Sequence, residues 1–228
     1  RDYAVTGVQT CALPISIIQS IVGVTFDDYI ILTEKLSELN FLAAIELNLS
    51  CPNLGAGGLD LGLDPEAVYK FIKDIRKRTR LPLIAKLTPN TSNIVGLAKS
   101  VEAGGADCIS MINTLKAMAI DINKRKPILA NISGGLSGPA VKPVALYQIW
   151  QVYKSVKIPI IGMGGVSNYE DVIEFMLAGS SAVALGTVNF IDPNAAVTIL
   201  ADLEDYLSRN NIKDINELVG AAHPYKAI

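Results

Sequence analysis

Short runs of β-branched residues alternate with amphipathic stretches from residue 16 onward. Strands are predicted over residues 17–24, 43–50, 81–87, 107–113, 158–162 and 182–186. Helices are predicted over residues 27–40, 93–102, 143–156, 168–177 and 192–207, and near 213–219. A further helix is predicted to begin at residue 64. This alternation indicates a chain built from strand-helix units.

Capping residues mark several of the helix starts. Asp64-Pro65 and Asp192-Pro193 each place an N-cap residue before a proline at the first helical position, and Asn168 is a further N-cap. In the first helix, the residues expected to face a core are Ile30, Leu32, Leu36 and Leu39.

Apolar strands that alternate with helices imply a parallel sheet covered by helices, the α/β class. Polar or Gly-rich sequence follows nearly every strand, which favours a closed (β/α)8 TIM barrel over an open doubly wound sheet. With six of the eight units visible, about two are expected to be missing from the front. Residues 115–139 are too long for a simple connection and are predicted to form a lid or an insertion, in which 118–121 pair with 126–132.

The first 15 residues follow neither helical nor strand periodicity and do not begin with Met. We expect residues 1–15 to be a non-native leader, of the kind produced when cloning or adapter sequence is translated in front of a truncated reading frame. Residues 16–228 are then the partial barrel.

Composition excludes several classes of function. The chain has 228 residues, of which 50% are hydrophobic, and its net charge is −2, so it lacks the basic field of a nucleic-acid binder. Cys11, Cys51 and Cys108 lie far apart without a CxxC pair, which predicts neither a disulfide framework nor a zinc site and fits a reducing, cytoplasmic compartment. No apolar stretch approaches the roughly 20 residues of a membrane span.

Candidate chemistry lies at the strand ends. Lys86 lies within an otherwise apolar strand, where it faces a polar interior or a bound anion, or else extends through the helix layer to solvent. A Schiff-base lysine and a cation that stabilises an anionic cofactor both fit the first alternative. The glycines of Gly162-Met163-Gly164-Gly165 and Gly186-Thr187 follow consecutive strands, which is typical of a phosphate site.

A thiol among amides follows the second strand, in Asn48-Leu49-Ser50-Cys51-Pro52-Asn53. These uncharged groups suit a site that orients a polar ligand by hydrogen bonds while the thiol handles one proton. Asn113 and Thr114 end the fourth strand and face the same mouth. The single histidine, His223, is expected to be solvated in a polar tail, and no metal site is predicted.

These motifs resemble those of the class 1 dihydroorotate dehydrogenases, and most closely those of the NAD-linked branch. The matching segments are 46–53 (ELNLSCPN), 85–87 (AKL), 112–114 (INT), 134–143 (GGLSGPAVKP), 161–166 (IGMGGV) and 184–187 (ALGT). The resemblance implies a barrel that binds FMN and oxidises dihydroorotate to orotate in pyrimidine biosynthesis. It also implies a homodimer and a second subunit that carries FAD and an iron-sulfur cluster and passes electrons to NAD.

The resemblance also implies roles for individual residues. Cys51 is expected to be the base that removes a proton from ring carbon 5, while a hydride leaves carbon 6 for the flavin. The residues expected to hold the pyrimidine are Asn48, Asn53, Asn113 and Thr114. The residues expected to contact FMN are Ser20, Asn48, Lys86, Ile112, Gly138, Gly164, Gly165, Gly186 and Thr187.

Ser20 stands where this family usually has an asparagine, and the family's first two strand-helix units are absent. We therefore expect this chain to be inactive by itself. Three alternatives remain open: a reductase like dihydropyrimidine dehydrogenase, which usually has His where Asn53 stands; a Schiff-base aldolase built on Lys86; and a non-catalytic barrel fragment with an open edge.

Overall fold

The computed structural model describes residues 15–49 and 63–224. In chain order, its strands are β1 (Ile17–Ile21), β2 (Leu42–Asn48), β3 (Leu83–Lys86), β4 (Cys108–Met111), β5 (Leu115–Ala117), β6 (Ile120–Asp121), β7 (Lys126–Pro127), β8 (Gly134–Leu136), β9 (Ile160–Met163) and β10 (Ala182–Ala184). Six of them form one sheet in the order β1-β2-β3-β4-β9-β10. Every pair in this sheet is parallel, as the alternation of strands and helices predicts.

Seven α-helices are present in the described ranges. They are α1 (Phe26–Ser37), α2 (Pro65–Arg76), α3 (Ile94–Gly104), α4 (Lys142–Tyr153), α5 (Tyr169–Ala178), α6 (Val188–Ile191) and α7 (Ala195–Arg209), with 3-10 helices at Pro139–Val141 and Ile215–Leu218. Helices connect successive strands of the sheet, so the predicted strand-helix units and the α/β class are confirmed. None of these helices is long and apolar enough to cross a lipid bilayer.

Two of the three predicted helix caps are confirmed. The Asp64 side chain accepts a hydrogen bond from the backbone of Glu66, and the Asn168 side chain accepts one from Asp171. The prediction for Asp192 is wrong, because a short helix that the pattern did not reveal, α6, ends there and α7 begins only at Ala195. The Asp192 carboxylate instead accepts from the backbone of Asn194, within the turn between the two helices.

Alternation along the strands separates a core face from an interior face. Ile45 and Leu47 of β2 are fully buried in the core beneath the helices, together with the apolar stripe of α2. Glu46 and Asn48 alternate with them and therefore lie on the opposite, interior face. Lys86 occupies the same face, since its register partner on β2 is Asn48.

The buried face of α1 differs in part from the prediction. Ile30, Leu32 and Leu36 do pack against the core, but Leu39 lies beyond the helix end and is exposed. The fully buried aromatic side chain of α1 is Tyr29, whose hydroxyl donates to the backbone carbonyl of Asn48 at 2.6 Å. The polar hydroxyl can be buried because it has this acceptor.

The long segment before α4 forms an arm, residues 115–136. β6 pairs antiparallel with β7, so the predicted hairpin is confirmed in part, over a shorter stretch than expected. β5 also pairs antiparallel with β8, a pairing that the sequence pattern did not predict. The arm exposes several large apolar side chains, including Ile122 and Ile128.

The prediction that His223 is solvated is wrong. Its ring is only 9% exposed and stacks on Trp150 with ring centroids 3.6 Å apart. The Nε2 atom lies 2.9 Å from the carbonyl oxygen of Ala178. The polar composition of the tail concealed this contact, which depends on a tryptophan 73 residues earlier in the chain.

Candidate functional site

A cavity of about 520 Å³ opens at the carboxyl ends of the parallel strands. Nine of the residues predicted for the site line it: Lys86, Ile112, Asn113, Thr114, Gly138, Gly164, Gly165, Gly186 and Thr187. Its volume lies in the range of pockets for small molecules and cofactors. Residues spread over a hundred positions of the sequence therefore share one site.

Glu46 and Lys86 line the cavity and interact with two further polar side chains, Ser20 and Ser110, which are not among its lining residues. We call these four residues, one from each of four strands, the floor network. The Ser20 hydroxyl donates to Glu46 Oε1 at 2.8 Å, and the Ser110 hydroxyl donates to Oε2 at 2.6 Å. Lys86 Nζ lies 3.6 Å from Oε1. Lys86 thus faces the interior, and the alternative in which it extends through the helix layer is wrong.

Two amides meet beside the floor network. The side chain of Asn113 donates to Asn48 Oδ1 at 3.2 Å and, through its own Oδ1, accepts from the backbone of Thr114. Tyr29 fixes the backbone of Asn48 from the helix side. The arrangement gives the cavity oriented amide groups suited to hydrogen bonding with a flat polar ring.

Glycine turns form the opposite side of the cavity. Gly138, Gly164 and Gly165 adopt positive φ angles of 87°, 127° and 82°. A Cβ atom on Gly165 would lie 2.7 Å from the carbonyl oxygen of Gly138, so the two turns pack backbone against backbone. A Cβ atom on Gly186 would meet nothing within 4 Å, which leaves open space for a ligand group at that strand end.

An ion-pair cluster behind the glycine turns braces them. Lys142 Nζ lies 2.5 Å from Asp171 and 2.7 Å from Glu174, and Asp171 also accepts from the backbone of Ser167. The pKa of Lys142 is raised above its usual value, most of all by the hydrogen bond from its ammonium to Asp171 and next by the one to Glu174. The cluster joins the start of α4 to the first turn of α5.

Between these two sides the cavity wall is apolar. Ile18, Ile84, Ile161 and Met163 all face the space above the floor network. A flat aromatic ring gains contact with such a wall, while its polar edge can reach the floor. The residues present therefore fit a ligand with a planar ring and an anionic tail.

Two of the predicted site residues, Cys51 and Asn53, lie outside the described residues. Cys108, at the start of β4, is described, and burial raises the pKa of its thiol to about 11. A thiol with that pKa is almost entirely protonated at neutral pH and is a poor base or nucleophile. Cys108 is therefore a structural residue, as its apolar neighbours in the sequence suggest.

Sequence reasoning missed three contributors to the site. Glu46 lies two residues before Asn48, so strand alternation alone places both on one face, and an acid in an otherwise buried strand was a usable signal. Tyr29 and the brace between Lys142 and Asp171 carry no local signal, because their contacts join distant parts of the chain.

Comparisons with known proteins identify the family of the chain. The family model described as dihydroorotate dehydrogenase matches residues 4–207. This match begins inside the segment predicted to be a leader, so the origin of residues 1–15 stays a prediction.

Two relatives are named dihydroorotate dehydrogenase B (NAD(+)), catalytic subunit. The protein from Alkaliphilus oremlandii is 54% identical over 204 residues, which are 90% of this chain and 67% of that protein. The protein from Desulforudis audaxviator is 50% identical over 209 residues, which are 92% of this chain and 68% of that protein. The chain thus spans about two thirds of the length of these relatives.

Among solved structures, dihydroorotate dehydrogenase from Eimeria tenella in complex with ferulenol superposes with a TM-score of 0.72. It is 21% identical, and the match covers 88% of this chain and 58% of that one. At this identity the likeness supports the fold alone, and the curled parallel sheet is accordingly part of a TIM barrel. The family match over residues 4–207 and the relatives at 50% and 54% identity show that the chain belongs to the dihydroorotate dehydrogenase family.

Proposed function

We propose that the cavity is the FMN and dihydroorotate site of an NAD-linked dihydroorotate dehydrogenase, an enzyme of pyrimidine biosynthesis. The observation that carries this proposal is the pairing, in one cavity, of a cationic floor at Lys86 with glycine turns on the opposite side. The names of the relatives support the substrate and the NAD-linked branch.

The described residues fit FMN in both of its parts. The open space at Gly186, beside Gly164 and Gly165, suits the phosphate, because backbone turns of this kind present N–H groups to an anion. The apolar wall suits the flat ring system, and Lys86 suits its polar edge. Gly165 is required for steric reasons, since a side chain at this position would clash with the backbone of Gly138.

The proposed chemistry uses residues on both sides of the ring. Asn48, Asn113 and Thr114 hold the pyrimidine, and Asn53 assists them. Cys51 takes the proton from ring carbon 5 of dihydroorotate. FMN, when bound, supplies the acceptor for the hydride that leaves carbon 6, and the product is orotate.

Electrons leave this subunit for a partner in the proposed complex. The relatives are named as catalytic subunits, which supports a second subunit. We propose that the partner carries FAD and an iron-sulfur cluster and reduces NAD, and that the catalytic subunit forms a homodimer. Co-purification of a flavin- and iron-containing chain with the full-length catalytic subunit tests this assembly.

The binding part of the proposal is tested on the 228-residue chain. Quenching of FMN fluorescence during titration with the protein is expected to show saturable binding. Lys86→Met is expected to weaken it, and Lys99→Met, which removes an exposed lysine on α3, provides the matched control. Absence of saturable binding to the folded chain would contradict the FMN assignment.

Catalysis is tested separately, because the chain is expected to be inactive alone. Strands β1 and β10 are the edges of the main sheet, and Phe190 and Ile191 beside β10 are 91% and 77% exposed, which favours an incomplete barrel. A chimera in which this chain replaces the matching 204-residue segment of the Alkaliphilus oremlandii relative is expected to oxidise dihydroorotate but not dihydrouracil. Robust turnover by the 228-residue chain would contradict its predicted inactivity.

A further inference from the structure

Among the described residues, Glu46 is the single acidic side chain that lines the cavity, and Lys86 is the single cationic one. Both side chains are largely buried, with 11% and 22% of their surfaces exposed. A buried carboxylate is costly unless hydrogen bonds and a nearby cation offset the loss of water. The proposed function assigns a role to Lys86 but leaves Glu46 without one.

The hydrogen bonds of Glu46 come from serines rather than from Lys86. Ser20 and Ser110 donate to different oxygens of the carboxylate, at 2.8 and 2.6 Å. The 3.6 Å separation from Lys86 is an ion pair that is too long for a hydrogen bond. The two serines therefore fix the carboxylate, which attracts the Lys86 ammonium by charge without accepting a hydrogen bond from it.

Placement of the four groups on four adjacent strands makes this arrangement rigid. Ser20 and Glu46 are register partners between β1 and β2, and Lys86 and Ser110 are register partners between β3 and β4. Rotation of the Glu46 side chain would break a hydrogen bond to one strand or the other. A ligand above the floor therefore meets a cation whose position and net field depend on Glu46.

We propose that Glu46 is a positioning residue that holds the Lys86 ammonium beside the ligand and offsets part of its positive charge. This inference rests on the proposed FMN site. Lys86 alone would stabilise the anionic, reduced form of the flavin strongly over the oxidised form. The carboxylate weakens that preference, which suits a cofactor that must pass its electrons onward to NAD.

The first experiment measures the midpoint potential of FMN bound to the 228-residue chain and to the Glu46→Gln variant. Removal of the negative charge is expected to raise the affinity for reduced over oxidised flavin at least tenfold, a positive shift of about 30 mV for a two-electron couple. Glu38→Gln is the matched control, because it removes an exposed carboxylate at the end of α1, outside the cavity. An unchanged potential in Glu46→Gln would overturn the charge-offset role.

The second experiment needs no flavin. Lys86 is labelled at pH 7.5 by reductive methylation and followed by mass spectrometry, with thermal melts to verify that each variant is folded. Glu46→Gln is expected to label at least about threefold faster than the parent chain, since the amine loses the fixed carboxylate that holds it in place. Equal labelling rates in folded proteins would overturn the positioning role.

Glu46→Asp separates the two roles. Its shorter side chain keeps the charge but cannot reach both serines, so the potential is expected to stay near that of the parent while Lys86 labels faster. A potential equal to that of Glu46→Gln would refute the charge-offset role. If the folded chain does not bind FMN, the proposed function fails, and the labelling rates still decide whether Glu46 positions Lys86.

Discussion

The two sides of the cavity are built from different parts of the polypeptide. On the side of β1 to β4, side chains make the polar contacts. Those of Ser20, Glu46, Lys86 and Ser110 form the floor network. On the side of β9 and β10, the backbone of glycine turns forms the surface. The first side sets the charge of the cavity and the second sets its shape. Substitutions on the first side should therefore act through electrostatics, and those on the second through steric clash.

The largest expected effect is at Gly165, on the backbone side. Gly165→Ala would place a methyl group 2.7 Å from the carbonyl oxygen of Gly138 at a φ of +82°. We expect a loss of about 2–3 kcal/mol in the free energy of unfolding, measured by urea titration, from strain and displacement of the turn. FMN binding, measured by fluorescence titration, should fall at least about a hundredfold, roughly 3 kcal/mol.

Gly186→Ala is the matched control for this change. Its added methyl group meets no protein atom within 4 Å, so the stability of the protein should stay within about 0.5 kcal/mol of the parent. FMN binding should still weaken, because the methyl group enters the space assigned to the ligand. Equal destabilisation by both substitutions would contradict the distinction between a packed and an open glycine.

On the side-chain side, Lys86→Met is expected to weaken FMN binding about tenfold, equivalent to about 1.4 kcal/mol. The loss should diminish at high salt, because it is electrostatic in origin. Fluorescence titrations at low and high ionic strength measure it. A loss of the same size in Lys99→Met would show that general charge, rather than the floor network, controls binding.

Lys142→Met tests the brace behind the glycine turns. Asp171 is nearly buried, so loss of its cation should lower the free energy of unfolding by about 1–2 kcal/mol, less than for a fully buried pair. The thermal melting temperature at pH 7 measures this. Lys70→Met, which removes an exposed helix pair with Glu66, should change stability by less than about 0.5 kcal/mol.

The same brace should depend on pH in a known direction. The pKa of Lys142 is raised in the folded protein, above 10.5, so its contribution is fully present below the unfolded pKa and is lost as pH rises through the folded pKa. The stability difference between the parent and Lys142→Met should therefore shrink above about pH 10.5. A constant difference across that range would contradict the ion-pair origin.

The smallest expected difference is between the two serines that donate to one carboxylate. Ser110 is fully buried, whereas Ser20 is exposed. Ser110→Ala is expected to cost about 1.5 kcal/mol and Ser20→Ala about 0.5 kcal/mol, because water can replace only the exposed donor. Urea unfolding of both variants measures the difference. Equal values would mean that solvent reaches both oxygens of Glu46.

Local pattern was sufficient to predict much of the fold. The periodicities that separate strands from helices and the cap at Asp64-Pro65 are properties of short windows, and both correspond to observed elements. Asp192-Pro193 has the same local pattern but does not begin a helix. The helix α6 ends directly before it, so Asp192 lies in the turn between two helices.

The sequence predicted those residues of the site that lie at the ends of apolar strands. Lys86, Asn113 and Gly165 were found because each follows or ends an apolar strand, and they do line one cavity. Glu46 acquires its hydrogen bonds only when β1 and β4 lie on either side of β2 and β3. Such partners are fixed by sheet order, which a single strand does not encode.

The stack of His223 on Trp150 has a practical consequence for spectroscopy. Because these are the single histidine and the single tryptophan of the chain, all indole emission comes from one site, where the ring of His223 lies 3.6 Å from that of Trp150 between centroids. A change in that emission during denaturation would mark release of the C-terminal segment from α4. Comparison with circular dichroism would then show whether the chain end detaches before the sheet melts.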